Sequence, residues 1–319
     1  MKVLNQTISD RFALYHADCI DVARALPDQS VDFSVFSPPF SSLYTYSNSD
    51  RDMGNSTSDE QFWTHFNFLI AEIFRILRNG RNVSVHLMNL TTTKQMHGFI
   101  GIRDFRGEMI RAFQAAGFIF HSEVTIWKDP VVAMQRTKAL GLLWKQIKKD
   151  SSMSRQGIPD YVVTFRKPGE NTKPISHAAE EFTVDEWQRL ASPCWMDIKQ
   201  SNTLNRKLAR EESDERHIAP LQLDVIHRCL RLWSAKDDVI FSPFAGIGSE
   251  GWVSLQLGRR FIGSELKESY YRIGALNLKE AESISMPEQT IAPGLVYSVS
   301  GKPADPRQTT IFDFIGNQS

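Results

Sequence analysis

Cysteine is scarce. The three residues, Cys19, Cys194 and Cys229, stand at no spacing that a metal site uses. So sparse and odd a set argues for a reducing compartment and against both a disulfide framework and structural zinc. His86, His97, His121 and His227 also lack ligand spacing and read as ordinary surface or core histidines. No apolar run approaches a membrane span and Met1 to Asp10 has no signal-peptide pattern, so no membrane partner and an intracellular location are expected. An excess of one charge is missing too, with 37 Lys+Arg against 37 Asp+Glu. That balance decides nothing about nucleic acid, because a local patch is what binds it. No internal repeat is visible. What remains is a 319-residue chain, 41% hydrophobic, enough for one large packed domain or a domain carrying an insertion.

The apolar pattern alternates between strand and helix. Phe12–Tyr15 reads as a strand and Ile20–Leu26 as a helix stopped by Pro27. Val31–Phe36 is a buried strand. A helix over Gln61–Leu77 lines up Phe62, Phe66, Leu69, Ile70, Ile73, Phe74 and Leu77 on one face. Val83–Leu87 is a strand, Phe105–Ala116 a helix and Phe118–Trp127 a strand. Beyond a middle region, 217–234 reads as a helix with a proline near its start, 238–241 as a strand, 250–257 as a helix, 261–265 as a strand and 269–283 as a last helix. Strand–helix alternation of this kind predicts an α/β fold.

The middle region, 131–216, differs in character. Its first part, 131–167, carries eight basic residues against two acidic ones, with Trp144 and Tyr161 interleaved. Such a stretch either tracks phosphates or forms a solvated helical face. Residues 41–60 form a long polar loop holding Tyr44, Tyr46 and Arg51. Residues 284–319 read as a flexible tail.

Two stretches carry chemistry. The first is Ser37-Pro38-Pro39-Phe40, at the end of the strand 31–36. Two prolines cannot continue a sheet, so the strand stops and presents a hydroxyl, a rigid turn with free carbonyls and an aromatic ring. Carboxyl ends of strands are where α/β sheets hold ligands, and these groups suit a flat, polar-edged substrate such as a nucleobase. Alone, the tetrapeptide reads rather as an ordinary Pro-Pro turn after a core strand. The second stretch is 239–265: a strand, Ser242-Pro243-Phe244-Ala245-Gly246-Ile247-Gly248, a helix, and a strand ending in Glu265. The glycines admit close backbone approach to a ligand, and Glu265 is placed to accept hydrogen bonds from ribose hydroxyls. The third glycine of a dinucleotide site is missing, and so is the lysine of a phosphate loop. A cofactor with a ribose and no pyrophosphate fits better, and S-adenosylmethionine (SAM) is one.

Taken in order, the two motifs resemble the β class of SAM-dependent DNA amino-methyltransferases, the permuted cytosine-N4 and adenine-N6 enzymes. In that family the target-base motif comes first, the recognition region follows, and the SAM-binding Phe-x-Gly-x-Gly unit comes last. The resemblance implies a circularly permuted Rossmann-like methyltransferase sheet with helices on both faces. Residues 1–130 and 217–283 would form its core, 131–216 the target-recognition region and 284–319 a C-terminal tail. Ser37, Pro38, Pro39 and Phe40 match the target-base motif. Ser242, Phe244, Ala245, Gly246 and Gly248 match the SAM loop, and Glu265 the following acid. His217 and Pro220 resemble the segment at the methionine end of SAM; Asp18, with Cys19 beside it, resembles the residue near its adenine. Where Ser242 stands the family usually has Asp, which helps hold the SAM ammonium.

The activity this implies is direct methyl transfer to the exocyclic amino group of a flipped base, with Ser at the first motif position favouring cytosine N4 over adenine N6. Double-stranded DNA is the implied partner. Tyr44, Tyr46, Arg51, Arg136, Lys138, Lys145, Lys148, Lys149 and Arg155 are the candidate DNA contacts. A homodimer, or a higher oligomer, and a cytoplasmic, bacterial or phage-encoded enzyme follow from the same resemblance. Gln308-Thr309-Thr310-Ile311-Phe312 looks like a sliding-clamp peptide, or folds back onto the core. No metal is needed. Other readings weighed were an RNA or protein amide methyltransferase, a DNA-binding relative weakened by Ser242, and a carbon-5 enzyme using Cys194 of Pro193-Cys194. Cys194 lies in the expected insertion and reads as structural.

Overall fold

The computed structural model describes residues 3–39, 59–92, 94–131, 144–153, 156–178, 180–204 and 220–284. Its strands are β1 (Val3–Ile8), β2 (Phe12–Ala17), β3 (Phe33–Phe36), β4 (Asn82–Met88), β5 (Leu90–Thr92), β6 (Gly101–Arg103), β7 (Ile119–Ile126), β8 (Asp160–Arg166), β9 (Cys194–Trp195), β10 (Val239–Ser242) and β11 (Arg260–Glu265). The helices are α1 (Cys19–Ala25), α2 (Asp59–Ile76), α3 (Lys94–His97), α4 (Phe105–Ala115), α5 (Trp144–Asp150), α6 (Val184–Leu190), α7 (Leu223–Trp233), α8 (Ser249–Gln256) and α9 (Glu268–Ser283).

Nine strands form one sheet in the order β1-β2-β11-β10-β3-β4-β8-β7-β9, and β5 and β6 form a separate ribbon. The central strands β2, β11, β10, β3 and β4 are mutually parallel. All their carboxyl ends therefore emerge on one edge. The strands are buried on both faces, which explains their near-continuous apolar runs. Side chains alternate between two cores: Ala13, Tyr15, Val239, Phe241 and Ile262 face one, and Phe12, Leu14, Ile240 and Phe261 the other. On the first face α2 inserts Phe62, Phe66, Leu69, Ile70 and Ile73, all at most 1% exposed. Burial of each such side chain is worth about 1.5–3 kcal/mol. On the second face pack α7, α8 and α9. Gly251 lets α8 lie close, because a Cβ there would come within 2.5 Å of Leu278 and Phe261.

A buried ionic knot fastens the two chain halves. Asp32 Oδ2 accepts the Val239 N–H at 2.8 Å, Arg81 donates to Asp238, and Lys173 Nζ stands 2.9 Å from Asp238 Oδ1. Asp32 and Asp238 are fully buried, so removing one partner would strand the charge of another.

Several sequence expectations shift. The strand after Leu26 begins at Phe33 rather than Val31; Val31 makes an isolated bridge to Leu77. Within α2 the inward face is as expected, except that Phe74 is half-buried and meets Phe118 edge-on. The helix expected over 217–234 starts at Leu223, with Pro220 ahead of its cap residue Gln222. Most consequential is β8. Residues 160–166, read as part of the recognition region 131–216, form a core strand between β4 and β7. Two further strands, β1 and β9, cover the sheet edges. No helix among the described residues is long and apolar enough to cross a membrane.

Candidate active site

Ser37, Ser242, Glu265 and Asp18 each lie at or just past the carboxyl end of a parallel strand: β3, β10, β11 and β2 respectively. Pairing of β3 with β10 and of β10 with β11 brings the two sequence motifs to adjacent positions on one sheet edge. That juxtaposition is what the permuted order of motifs predicts.

Ser37 is half-buried and Pro38 and Pro39 are buried. The last register pair of β3 and β4, Phe36 with Val85, sets the next residues, Ser37 and His86, side by side. Ser37 Oγ lies 3.3 Å from His86 Nδ1. His86 Nε2 is 3.3 Å from Asp160 Oδ2, within ion-pair reach but off the line of a hydrogen bond. Lys128 donates to the other oxygen, Asp160 Oδ1. The result is a chain, Ser37–His86–Asp160–Lys128, drawn from four segments. Burial opposes charge on Asp160, yet Lys128 and His86 overcome it and hold the carboxyl below the ordinary aspartate range. From sequence, His86 reads as an ordinary surface or core histidine and Asp160 as one of two acids in a basic stretch. The available signal was register: a histidine on the strand neighbouring the Ser-Pro-Pro turn.

The glycine loop is held by its own backbone. Ala245 N–H donates to Ser264 O, Gly246 N–H to Glu265 Oε2 at 2.8 Å, and Gly248 N–H to Ala245 O at 2.7 Å. Ser264 Oγ donates to Pro243 O. Gly246 and Gly248 have φ of 53° and 87°, left-handed values that glycine adopts without strain. Glu265 thus clamps the loop and also accepts from the Lys267 N–H. Phe244 stacks on Phe66 at 6.3 Å and meets Phe36 edge-on, so its ring braces the loop against the core. Asp18 caps α1, accepting from the Ile20 and Asp21 N–H groups. Cys19 is buried, and burial pushes its thiol well up, so it is no nucleophile.

The residues fit a cationic, ribose-bearing cofactor. A Cβ on Gly246 would meet nothing within 4 Å, leaving a cradle above the loop. Ser242 Oγ and Ser249 Oγ are buried and have no hydrogen-bond partner among the described residues. Acid is supplied by Glu265 and by Glu250 in the first turn of α8. No cluster of potential metal ligands occurs among the described residues.

Most candidate DNA contacts lie outside the described residues: Tyr44, Tyr46, Arg51, Arg136, Lys138 and Arg155. So do Phe40 of the base motif, the cofactor candidate His217 and the tail peptide Gln308–Phe312. Lys148 and Lys149 are exposed on α5, with Lys148 Nζ 5.6 Å from the Trp144 ring. Lys145 lies on the same helix. Cys194 is a free cysteine on the edge strand β9, three strands out from β4 in the sheet order.

A mostly parallel sheet with helices on both faces, a glycine loop and an acid-tipped next strand define the SAM-dependent methyltransferase fold. The chain belongs to the DNA methylase family of N6 and N4 amino-methyltransferases, whose family model matches residues 31–276. Membership makes SAM the methyl donor. Among relatives, the type II methyltransferase M.HindIII of Haemophilus influenzae is 23% identical over 65% of this chain and 66% of its own length. The DNA adenine methyltransferase YhdJ of Escherichia coli is 20% identical over 86% of this chain and 85% of its own. Two solved structures share the fold. One, described as a DNA modification methylase from Thermus thermophilus and complexed with S-adenosyl-L-methionine, has a TM-score of 0.62 at 19% identity, covering 85% of this chain and 96% of that one. The other, the cytosine-N4-specific PvuII DNA methyltransferase, has a TM-score of 0.60 at 15% identity, covering 86% and 90%.

Proposed function

We propose that this protein methylates the exocyclic amino group of a base in double-stranded DNA, with cytosine N4 as its target in preference to adenine N6. The observation that carries the reading is the chain of polar contacts behind Ser37, which lies at the same sheet edge as the glycine loop. An amino group on an aromatic ring is a poor nucleophile, because its lone pair is delocalised. Ser37 Oγ and the Pro38 carbonyl are acceptors that can take its two hydrogens and localise that pair. To accept, Ser37 must direct its own proton elsewhere, and His86 Nδ1 is the acceptor within reach once Nε2 carries the ring proton toward Asp160. The methylated nitrogen must shed a proton; Ser37 can take it while passing its own to His86, and Asp160 stabilises the imidazolium that results. The 3.3 Å spacings on both sides of His86 suit a relay that tightens when substrate arrives.

When bound, SAM supplies an electrophilic methyl group on a positive sulfur. The loop 242–248, Glu265 and Asp18 hold it, with Pro220 and His217 toward its methionine end. The rest of the task for this chain is positioning and electrostatics. A base inside the duplex cannot reach a strand end, so it is flipped out, with Phe40 to stack on it. Serine at the first motif position supports cytosine. The basic stretch 131–155 and the loop 41–60 supply the DNA surface.

Methylating DNA of known sequence and identifying the modified nucleoside by mass spectrometry tests the reading. N4-methylcytosine is expected; N6-methyladenine overturns the base preference, and 5-methylcytosine overturns the mechanism. A second check addresses the cofactor cradle. Gly246→Ala carries a left-handed strain of about 1–2 kcal/mol and projects a methyl into the space above the loop. Calorimetry is expected to show SAM affinity reduced by roughly tenfold or more, with the circular dichroism of the folded protein retained.

A further inference from the structure

The glycine loop ends in a residue the motif does not ask for. Glu250 is the second residue of α8, two positions past Gly248, and it is 4% exposed. No cation pairs with its carboxylate among the described residues, and the one hydrogen-bonding group acting on it is its own backbone N–H. Ser242, at the end of β10, is fully buried and offers only a hydroxyl, itself without a partner among the described residues. A cationic ligand therefore finds no acid at 242, and the acid of the loop sits eight residues later on the adjoining helix start.

We infer that Glu250 is a cofactor-binding residue whose carboxylate receives the α-ammonium of SAM. This rests on the cofactor reading above. The amino-acid end of SAM is a zwitterion. Its carboxylate suits the first turn of α8, where N–H groups point out of the helix start, next to the Ser249 hydroxyl, which has no partner among the described residues. Its ammonium, on the same carbon, then lies within reach of a first-turn side chain. Glu265 on the other side of the loop is already engaged by the N–H groups of Gly246 and Lys267.

The electrostatics around Glu250 support this assignment. Burial, then the neighbouring Glu265, push the Glu250 carboxyl up to about 8. Against α8 pack α7, α9, β10 and β11, and of the charged groups they carry, Glu265 is the one acting on Glu250. At neutral pH the acid is held protonated, and a cation can use it only after it gives up that proton. Cofactor binding should thus be coupled to proton release.

Titration calorimetry of the full chain with SAM and with S-adenosylhomocysteine, in buffers of different ionisation enthalpy, counts those protons. Between pH 6 and 7 the ligand ammonium is charged. Near one proton released per cofactor is expected there, with affinity rising about tenfold over that pH unit. Both ligands carry the ammonium, so both should show the release. In Glu250→Gln the release and the pH slope should vanish and affinity should fall. Binding by the wild-type chain without proton release overturns the assignment, as does release that persists in Glu250→Gln. Release with SAM alone points to the sulfonium and overturns the ammonium assignment. If neither ligand binds the wild-type chain, the cofactor reading itself falls, and this inference with it. Should the variant not fold, the wild-type proton count still decides.

Discussion

Ser37→Ala is expected to slow methyl transfer by about 10²- to 10³-fold, the range seen when one pre-positioned polar group is removed from a reacting centre. SAM affinity and thermal stability should change little, since Ser37 is half-buried and its neighbours in the chain are held by one another. Asp160→Asn should cause a comparable loss of rate for a different reason. It keeps the shape but withdraws the charge that orients His86 and stabilises its protonated form. It also leaves Lys128 without its carboxylate; breaking such a pair costs about 3–5 kcal/mol when both partners are fully buried, and less here, because the Lys128 side chain is 19% exposed. Because the four residues act as a unit, the double variant should be little slower than either single one. Single-turnover transfer of labelled methyl to a duplex measures all three. Losses that multiply in the double variant, or a Ser37→Ala enzyme at full rate, would remove the relay from the mechanism.

Glu250→Gln is expected to stabilise the unliganded protein at alkaline pH. The folded-state carboxyl, near 8, lies above its ordinary value of 4.5. Between those two pH values the folded chain keeps a proton that the unfolded chain has lost, so wild-type stability falls as pH rises through that window. A glutamine has no such proton to lose. The difference should be negligible near pH 4 and reach about 4 kcal/mol by pH 8, at roughly 1.4 kcal/mol per unit. Urea unfolding of both proteins at pH 5 and pH 8 reads it directly. Equal pH slopes in the two would mean that Glu250 ionises normally in the fold.

Much of the fold was legible in the sequence, because strands buried on both faces and helices with one apolar stripe leave distinct periods. The central strands and the helices α1, α2, α4, α8 and α9 were recovered near their observed bounds. The strand β8 was not, because Asp160–Arg166 sits in a basic stretch whose charge dominated its Val162-Val163 core. The base and cofactor motifs were legible because glycine and proline impose backbone shapes that few other residues allow. His86 and Asp160 were not. Their role comes from register across β3, β4 and β8, and a single histidine or aspartate in an apolar strand carries no local sign of what stands beside it. Glu250 escaped for a related reason: its significance depends on burial.

The central pairing of β3 with β10 also has a temporal side. The hydrogen bond from Ser34 Oγ to Phe241 O joins residues 207 positions apart. At about 5–20 residues per second of synthesis, β3 waits roughly 10–40 s on the ribosome before the strand that flanks it exists. During that interval its edge lacks β10 and Phe66 of α2 lacks the ring of Phe244. The sheet closes from the middle and closes late, which makes folding slow. A nascent chain stalled before β10 would carry the Ser-Pro-Pro turn on a strand paired with β4 alone, with an aggregation-prone open edge in place of an active site.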